Sequence, residues 1–171
     1  VLFRSIEART AISSVNEEGA LKNLASEESI RFDKALTKNT ALWEKELGKI
    51  EIFGGTQKQR DIFYTSLYHT MISPSLFSDV NGDYRGADGK SYNCELDQYT
   101  IFSLWDTYRA ASPLMTIIDT EKARSVASTF MNIYDQQGKL PVWHLAGNET
   151  DCMIGNPGVI VMADLILKGL V

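Results

Sequence analysis

The sequence has no clustered basic residues. Its 17 lysines and arginines stand singly against 22 acidic residues, for a net charge of -5. That mild acidity, with no basic stripe, excludes the electrostatic footprint of a nucleic-acid binder. Cysteine is scarce, with only Cys94 and Cys152. Two cysteines do not make a disulfide scaffold, and free cysteines are often buried, so the simplest reading is two separate thiols. The first residues do not show a charged region, an apolar stretch and a cleavage site in order, which leaves the compartment unassigned. Long apolar runs are missing too: Val159 to Ala163 and Leu165 to Leu167 are split by Asp164 and fall short of the roughly 20 residues that span a bilayer. No Gly-rich phosphate loop, nucleophile elbow or paired-cysteine motif occurs. His144 has no second histidine at ligand spacing, which argues against zinc.

What is present is an ordinary globular composition, 44% hydrophobic and 23% charged over 171 residues, enough for one domain with a sizeable core. Ala8 to Val15 are small and β-tolerant and read as a short strand or extended lead-in. Asn16, followed by Glu17 and Glu18, reads as an N-cap with acids in the first turn. A second helix is expected from about Glu28 to Gly48, because Phe32, Leu36, Trp43, Leu47 and Ile50 recur at helical spacing. Thr56 with Gln59 predicts a capping box, and Phe63, Leu67 and Met71 give the third helix its apolar face before Pro74. A fourth helix is expected over Ser103–Ile118. A fifth is expected over Thr120–Gln137, with Ala123, Val126, Ala127, Phe130, Met131 and Tyr134 on one face and Gly138 as the stop. A final helix begins near Gly158 and is apolar nearly all round, the pattern of an enclosed helix. The apolar run at Leu170-Val171 leads us to expect that the fold continues past it.

Residues 76–98 hold three glycines and five acids and read as a long loop, a type often functional. Asp79, Asn81 and Asp83 open a calcium-loop pattern, but Tyr84 stands where that loop needs glycine and Lys90 where it needs glutamate, so a solvated turn is favoured. The chemistry concentrates elsewhere. Trp105, Asp106 and Arg109 put an indole beside a carboxylate and a guanidinium, which suits a sugar: the ring covers pyranose C–H groups while the charged groups bond hydroxyls. The competing reading is a core tryptophan beside an Asp106–Arg109 ion pair. Trp143 to Met153 pack Trp, His, Asn, Glu and Asp into one loop before the last helix. There Glu149 and Asp151 fit general acid/base groups, hydroxyl acceptors, hard-metal ligands or simple helix caps.

These segments, taken in order, resemble glycoside hydrolase family 92. The stretches that carry the resemblance are Tyr64 to His69, Pro74 to Val80, Ser103 to Arg109, and Gly138 to Trp143 continuing through Gly147 to Thr150. It extends from about Ala8 onward. The resemblance implies a calcium-dependent, inverting exo-α-mannosidase that removes terminal mannose from N-glycans or mannan, often at α-1,2 linkages. The implied fold is mainly α, part of an (α/α)6 barrel, with a preceding helical linker and a remnant of a β-sandwich strand. Residues 1–15 would end the sandwich, 16–55 form the linker and 56–171 open the barrel.

By the same resemblance, Trp105, Asp106 and Arg109 belong to the subsite for the terminal mannose, Trp143 lines it, and Asn148 and Glu149 form its wall. An inverting glycosidase needs a carboxylic acid and a carboxylate about 6.5–9.5 Å apart. The catalytic acid and base and most Ca2+ ligands are expected outside this chain, and no metal ligand is assigned within it. Glu149 and Asp151 are the fallback carboxylates. The expected partners are mannose-containing glycans and the remainder of a longer parent chain, which would be secreted, periplasmic or on the cell surface. The alternatives are a non-catalytic carbohydrate-binding module or a helical scaffold piece.

Overall fold

The computed structural model describes residues 6–27 and 31–171. The segment read as a short strand or extended lead-in, Ala8 to Val15, forms no strand. Its serine side chains tie it to the body of the fold. Ser13 donates its hydroxyl to Asp79 at 2.6 Å, and Ser14 donates to the Phe77 carbonyl at 3.3 Å. Helix α1 (Glu17–Ser26) then starts as its sequence demands, with Asn16 accepting the Gly19 N–H at 2.8 Å.

Helix α2 spans Phe32–Leu47, and its expected start at Glu28 lies outside the described residues. Its apolar stripe is uncovered at its start by the described residues, with Phe32 64% and Leu36 55% exposed, while Trp43, Leu47 and Ile50 are half-buried. Trp43 meets Tyr68 edge-on, ring centres 4.7 Å apart. Tyr68 belongs to α3 (Gln57–Met71), which opens with the complete Thr56–Gln59 capping box.

The stretch expected to be loop contains short antiparallel pairs. Strand β1 (Ser75–Leu76) pairs with β4 (Tyr99–Thr100), and β2 (Asp83–Arg85) pairs with β3 (Ser91–Asn93). Gly89, at φ 80, sits in the turn between β2 and β3, and the facing Tyr84 and Tyr92 stack at 5.9 Å, a cross-strand aromatic pair. The expected solvated turn holds in part: Val80 and Asn81 are exposed, whereas Asp79 is buried.

The helix expected over Ser103–Ile118 is broken into α4 (Leu104–Thr107) and α5 (Ala111–Ile118). Pro113 gives the reason. In a continuous helix it would offer no N–H to Arg109 and its ring would crowd the Arg109 carbonyl, whereas in the first turn of a new helix it is tolerated. Helix α6 (Thr120–Gln137) matches its expected bounds, with Asp119 accepting the Lys122 N–H at 3.1 Å and Gly138 closing at φ 77. Its inward face is Ala123, Val126, Ala127, Phe130 and Ile133, whereas Met131 and Tyr134, expected on that face, are exposed. A three-stranded sheet joins β5 (Phe102–Ser103), β6 (Trp143–Leu145) and β7 (Asn148–Glu149).

Helix α7 (Pro157–Leu167) buries Val161, Met162 and Leu165 but leaves Val159, Ile160, Ile166 and Leu167 exposed. The helix expected to be enclosed is therefore covered on one side only by the described residues. Asp164 accepts from Lys168 at 2.7 Å, the partner that a carboxylate in an apolar helix requires.

The core lies where α6 and α7 meet β5, with Phe102 and Phe130 in edge contact at 4.9 Å. Phe130 is fully buried. Phe130→Ala should destabilise the chain by about 3–5 kcal/mol, read as a lower midpoint in urea unfolding.

Candidate functional site

The two chemistry-bearing segments meet through backbone pairing. Strand β5 pairs antiparallel with β6, so that Ser103 faces Trp143 and Phe102 faces His144. Strand β6 then turns back into β7, so that His144 faces Glu149 and Leu145 faces Asn148. Helix α4 begins directly after Ser103. Trp105 and Asp106 therefore stand one and two residues past the helix start, beside the sheet that carries Trp143, Asn148 and Glu149.

The first segment differs from a continuous helical face. Trp105, Asp106 and Arg109 are all exposed. The break after α4 separates Arg109 from its expected helical relation to Trp105. Arg109 turns to Tyr108 instead, donating from Nε to the phenol oxygen at 2.9 Å with the guanidinium 5.2 Å from the ring centre. Asp106 accepts from the Ser103 hydroxyl. No Asp106–Arg109 ion pair forms among the described residues, so the simple ion-pair reading of this segment fails.

The second segment is built around Glu149. One of its oxygens accepts the Val142 N–H at 2.8 Å. The other accepts the N–H groups of Trp143 at 3.0 Å, Thr150 at 3.1 Å and Asp151 at 3.3 Å. Charge-assisted bonds of this kind are roughly twice as strong as neutral ones. Glu149 thereby fixes the hairpin that presents Trp143, half-buried, and Asn148, exposed. Asp151, on a left-handed backbone at φ 51, is exposed and paired with Lys139. Both carboxylates are thus engaged, Glu149 by main-chain N–H groups and Asp151 by the Lys139 ammonium.

His144 is 2% exposed, and neither ring nitrogen has a hydrogen-bond partner among the described residues. Burial pushes its pKa down from 6.5 to about 4, against the opposing pull of the Glu149 charge.

Two clefts flank these elements. One, of about 940 Å³, lies between the ends of α2 and α3 and the β4–β5–α5–α6 region; Trp43, Tyr99, Lys122 and Trp143 are among its lining. Burial raises the Tyr99 pKa to about 12, with help from the Asp97 and Asp119 charges. Lys122, whose pKa burial lowers, stands 5.4 Å from the Tyr99 ring centre. Of the residues proposed from sequence, Trp143 lines this cleft. The second cleft, about 1140 Å³, is lined by Ser13, Asn23, Asp79, Arg85 and Ala146 among others.

No group of three or more His, Cys, Asp or Glu side chains converges among the described residues. Asp79 is occupied by Ser13 and Asn23, and Asp83 by Asn81 and Asn93. Both cysteines are free thiols. No helix among the described residues is long and apolar enough to cross a membrane.

Residues 19–171 match the glycosyl hydrolase family 92 catalytic domain. The chain belongs to glycosyl hydrolase family 92. Among solved structures, the family 92 α-mannosidase BT3965 from Bacteroides thetaiotaomicron is similar at 40% identity and a TM-score of 0.89, over 93% of this chain and 22% of that one. Its complex with mannoimidazole matches at 39% identity and a TM-score of 0.88, over 93% of this chain and 21% of that one. The inverting family 92 mannosidase BT2199 from Bacteroides thetaiotaomicron matches at 30% and a TM-score of 0.84, over 93% of this chain and 22% of that one. The chain thus spans about a fifth of the length of these relatives. No curated protein matches it.

Sequence reading of this family 92 segment missed one contributor to the hairpin, Arg85, which donates to the Ala146 carbonyl 61 positions away. Nothing local to Arg85 signals so distant a partner. The buried His144 yields a test. A base whose folded pKa lies below its unfolded value contributes stability above the unfolded value and loses it as pH falls. The chain should therefore lose stability as pH drops from 6.5 to about 4. His144→Leu should be flatter over that window when urea midpoints of the two proteins are compared.

Proposed function

We propose that this chain is part of an inverting exo-α-mannosidase, acting at α-1,2 linkages of N-glycans or mannan, and that it supplies sugar contacts while the acid and base come from elsewhere in the parent enzyme. The carrying observation is the β5–β6–β7 sheet, which brings the start of α4 beside Trp143 and the Glu149 hairpin. A mannoimidazole complex of a relative similar over most of this chain supports a mannose-type ligand.

In this reading the described residues open an (α/α)6 barrel behind a helical linker. Asp106 and Arg109 bond mannose hydroxyls, Trp105 and Trp143 cover the C–H faces of the ring, and Asn148 lines the wall. Glu149 orients that wall through its four main-chain bonds, and Asp151 is tied to Lys139, which makes both poor candidates for proton transfer. Calcium belongs to the parent enzyme through ligands outside this chain. The parent acts at or beyond the cell surface, where mannan and N-glycans are met.

The chain alone should release no mannose from α-1,2-mannobiose, with calcium or with a chelator. The full-length parent should release it, and a chelator should stop it. Release by this chain alone would put the carboxylates here and contradict the assignment. In the parent, Asp106→Ala should lower kcat/KM by about 10²-fold, within the range of a lost charged hydrogen bond to substrate.

A further inference from the structure

We infer that Arg85, on the β2 strand of a separate hairpin, is a positioning residue that sets the tip of the sugar-contacting β6–β7 hairpin. The inference rests on the site reading given above.

The tip is Leu145-Ala146-Gly147-Asn148. Ala146 and Gly147 both have left-handed backbones, at φ 48 and 82. A non-glycine residue in that region is uncommon and is held by its surroundings. Arg85 supplies the hold: its Nη2 donates to the carbonyl of Ala146. The fit on the next residue is equally close. A Cβ added to Gly147 would lie 3.3 Å from Arg85 Nη2, 3.3 Å from Phe77 Cζ and 3.4 Å from Arg85 Nε. The guanidinium and the Phe77 ring thus form the floor under the turn.

Arg85 is itself fixed from behind. Its backbone N–H donates to the Ser14 hydroxyl at 3.2 Å, and that hydroxyl donates to the Phe77 carbonyl. Strand β2 is in register with β3, Arg85 opposite Ser91. The chain of contacts runs from the segment before α1, through the β2–β3 hairpin, to the residue just before Asn148. No other side chain of the described residues donates to Ala146 except Asn148 itself, at 3.3 Å. Arg85 therefore supplies the tip's outside support, and the position of Asn148 follows from it.

Arg85 touches the turn and acts on sugar only through Asn148, so its loss should weaken binding more than chemistry. In the full-length parent enzyme, Arg85→Gln should raise KM for an α-mannoside about tenfold, the scale of a displaced positioning contact, with kcat within about threefold. Arg85→Lys, which keeps a cationic donor, should recover part of the loss. Gly147→Ala, which pushes the same turn without altering Arg85, should raise KM similarly and decides the matter if Arg85→Gln fails to fold. An unchanged KM in Arg85→Gln overturns the inference. So does a parallel fall of kcat and thermal midpoint, without a KM effect, in both variants. Asn148→Ala separates the two levels: a normal KM there sinks the site reading itself, whereas a raised KM there with a normal KM in Arg85→Gln sinks only the role of Arg85.

Discussion

The short antiparallel pairing of β5 with β6 is the constraint on which the rest depends. It consists of two residue pairs, Phe102 with His144 and Ser103 with Trp143. One side of it is core: Phe102 meets Phe130 of α6 and anchors the packing with α7. The other side feeds α4 and the Glu149 hairpin. A sheet this small is not stable alone. It persists because the helices bury Phe102 and because Glu149 accepts four main-chain N–H groups of the hairpin. Packing and site geometry are therefore coupled through the same few residues.

That coupling explains an unusual distribution of polar groups. His144 is buried within the pairing, and among the described residues neither its ring nor the buried Thr100 hydroxyl has a partner. Buried polar groups without partners cost free energy, and both flank the sheet that leads to the site. Side chains that suit a sugar, by contrast, are exposed: Trp105, Asp106, Arg109 and Asn148. The apolar faces of α2 and α7 are exposed as well.

The helices were legible wherever periodicity and caps agreed. Asn16, the Thr56–Gln59 box and Gly138 act within three or four residues of their partners, so sequence contains the whole interaction. The same holds for Pro113, whose missing N–H marks the break between α4 and α5, a local sign that apolar periodicity masks. The strands were not legible, because each is two or three residues long and has no period to detect. Ala8 to Val15 reads equally as a strand or an extended lead-in, because β-tolerant residues do not by themselves fix a strand, and the fold takes the second. Motif composition located Trp105, Asp106, Trp143 and Glu149 in two segments, but their meeting depends on a register set 40 positions apart. In sequence Glu149 fits an acid/base group, a hydroxyl acceptor, a metal ligand or a cap alike, and only the fold reveals that main-chain amides take up its oxygens. Arg85 was invisible for the same reason.

The most direct test of the central claim is a structure of the complete parent enzyme with mannoimidazole bound. The account predicts the sugar-like ring beside the β5–β6–β7 sheet, with Asp106 and Asn148 within hydrogen-bond distance and Glu149 still bonded to its main-chain amides. A ring bound away from this sheet, with Asp106 and Asn148 turned to solvent, would contradict it.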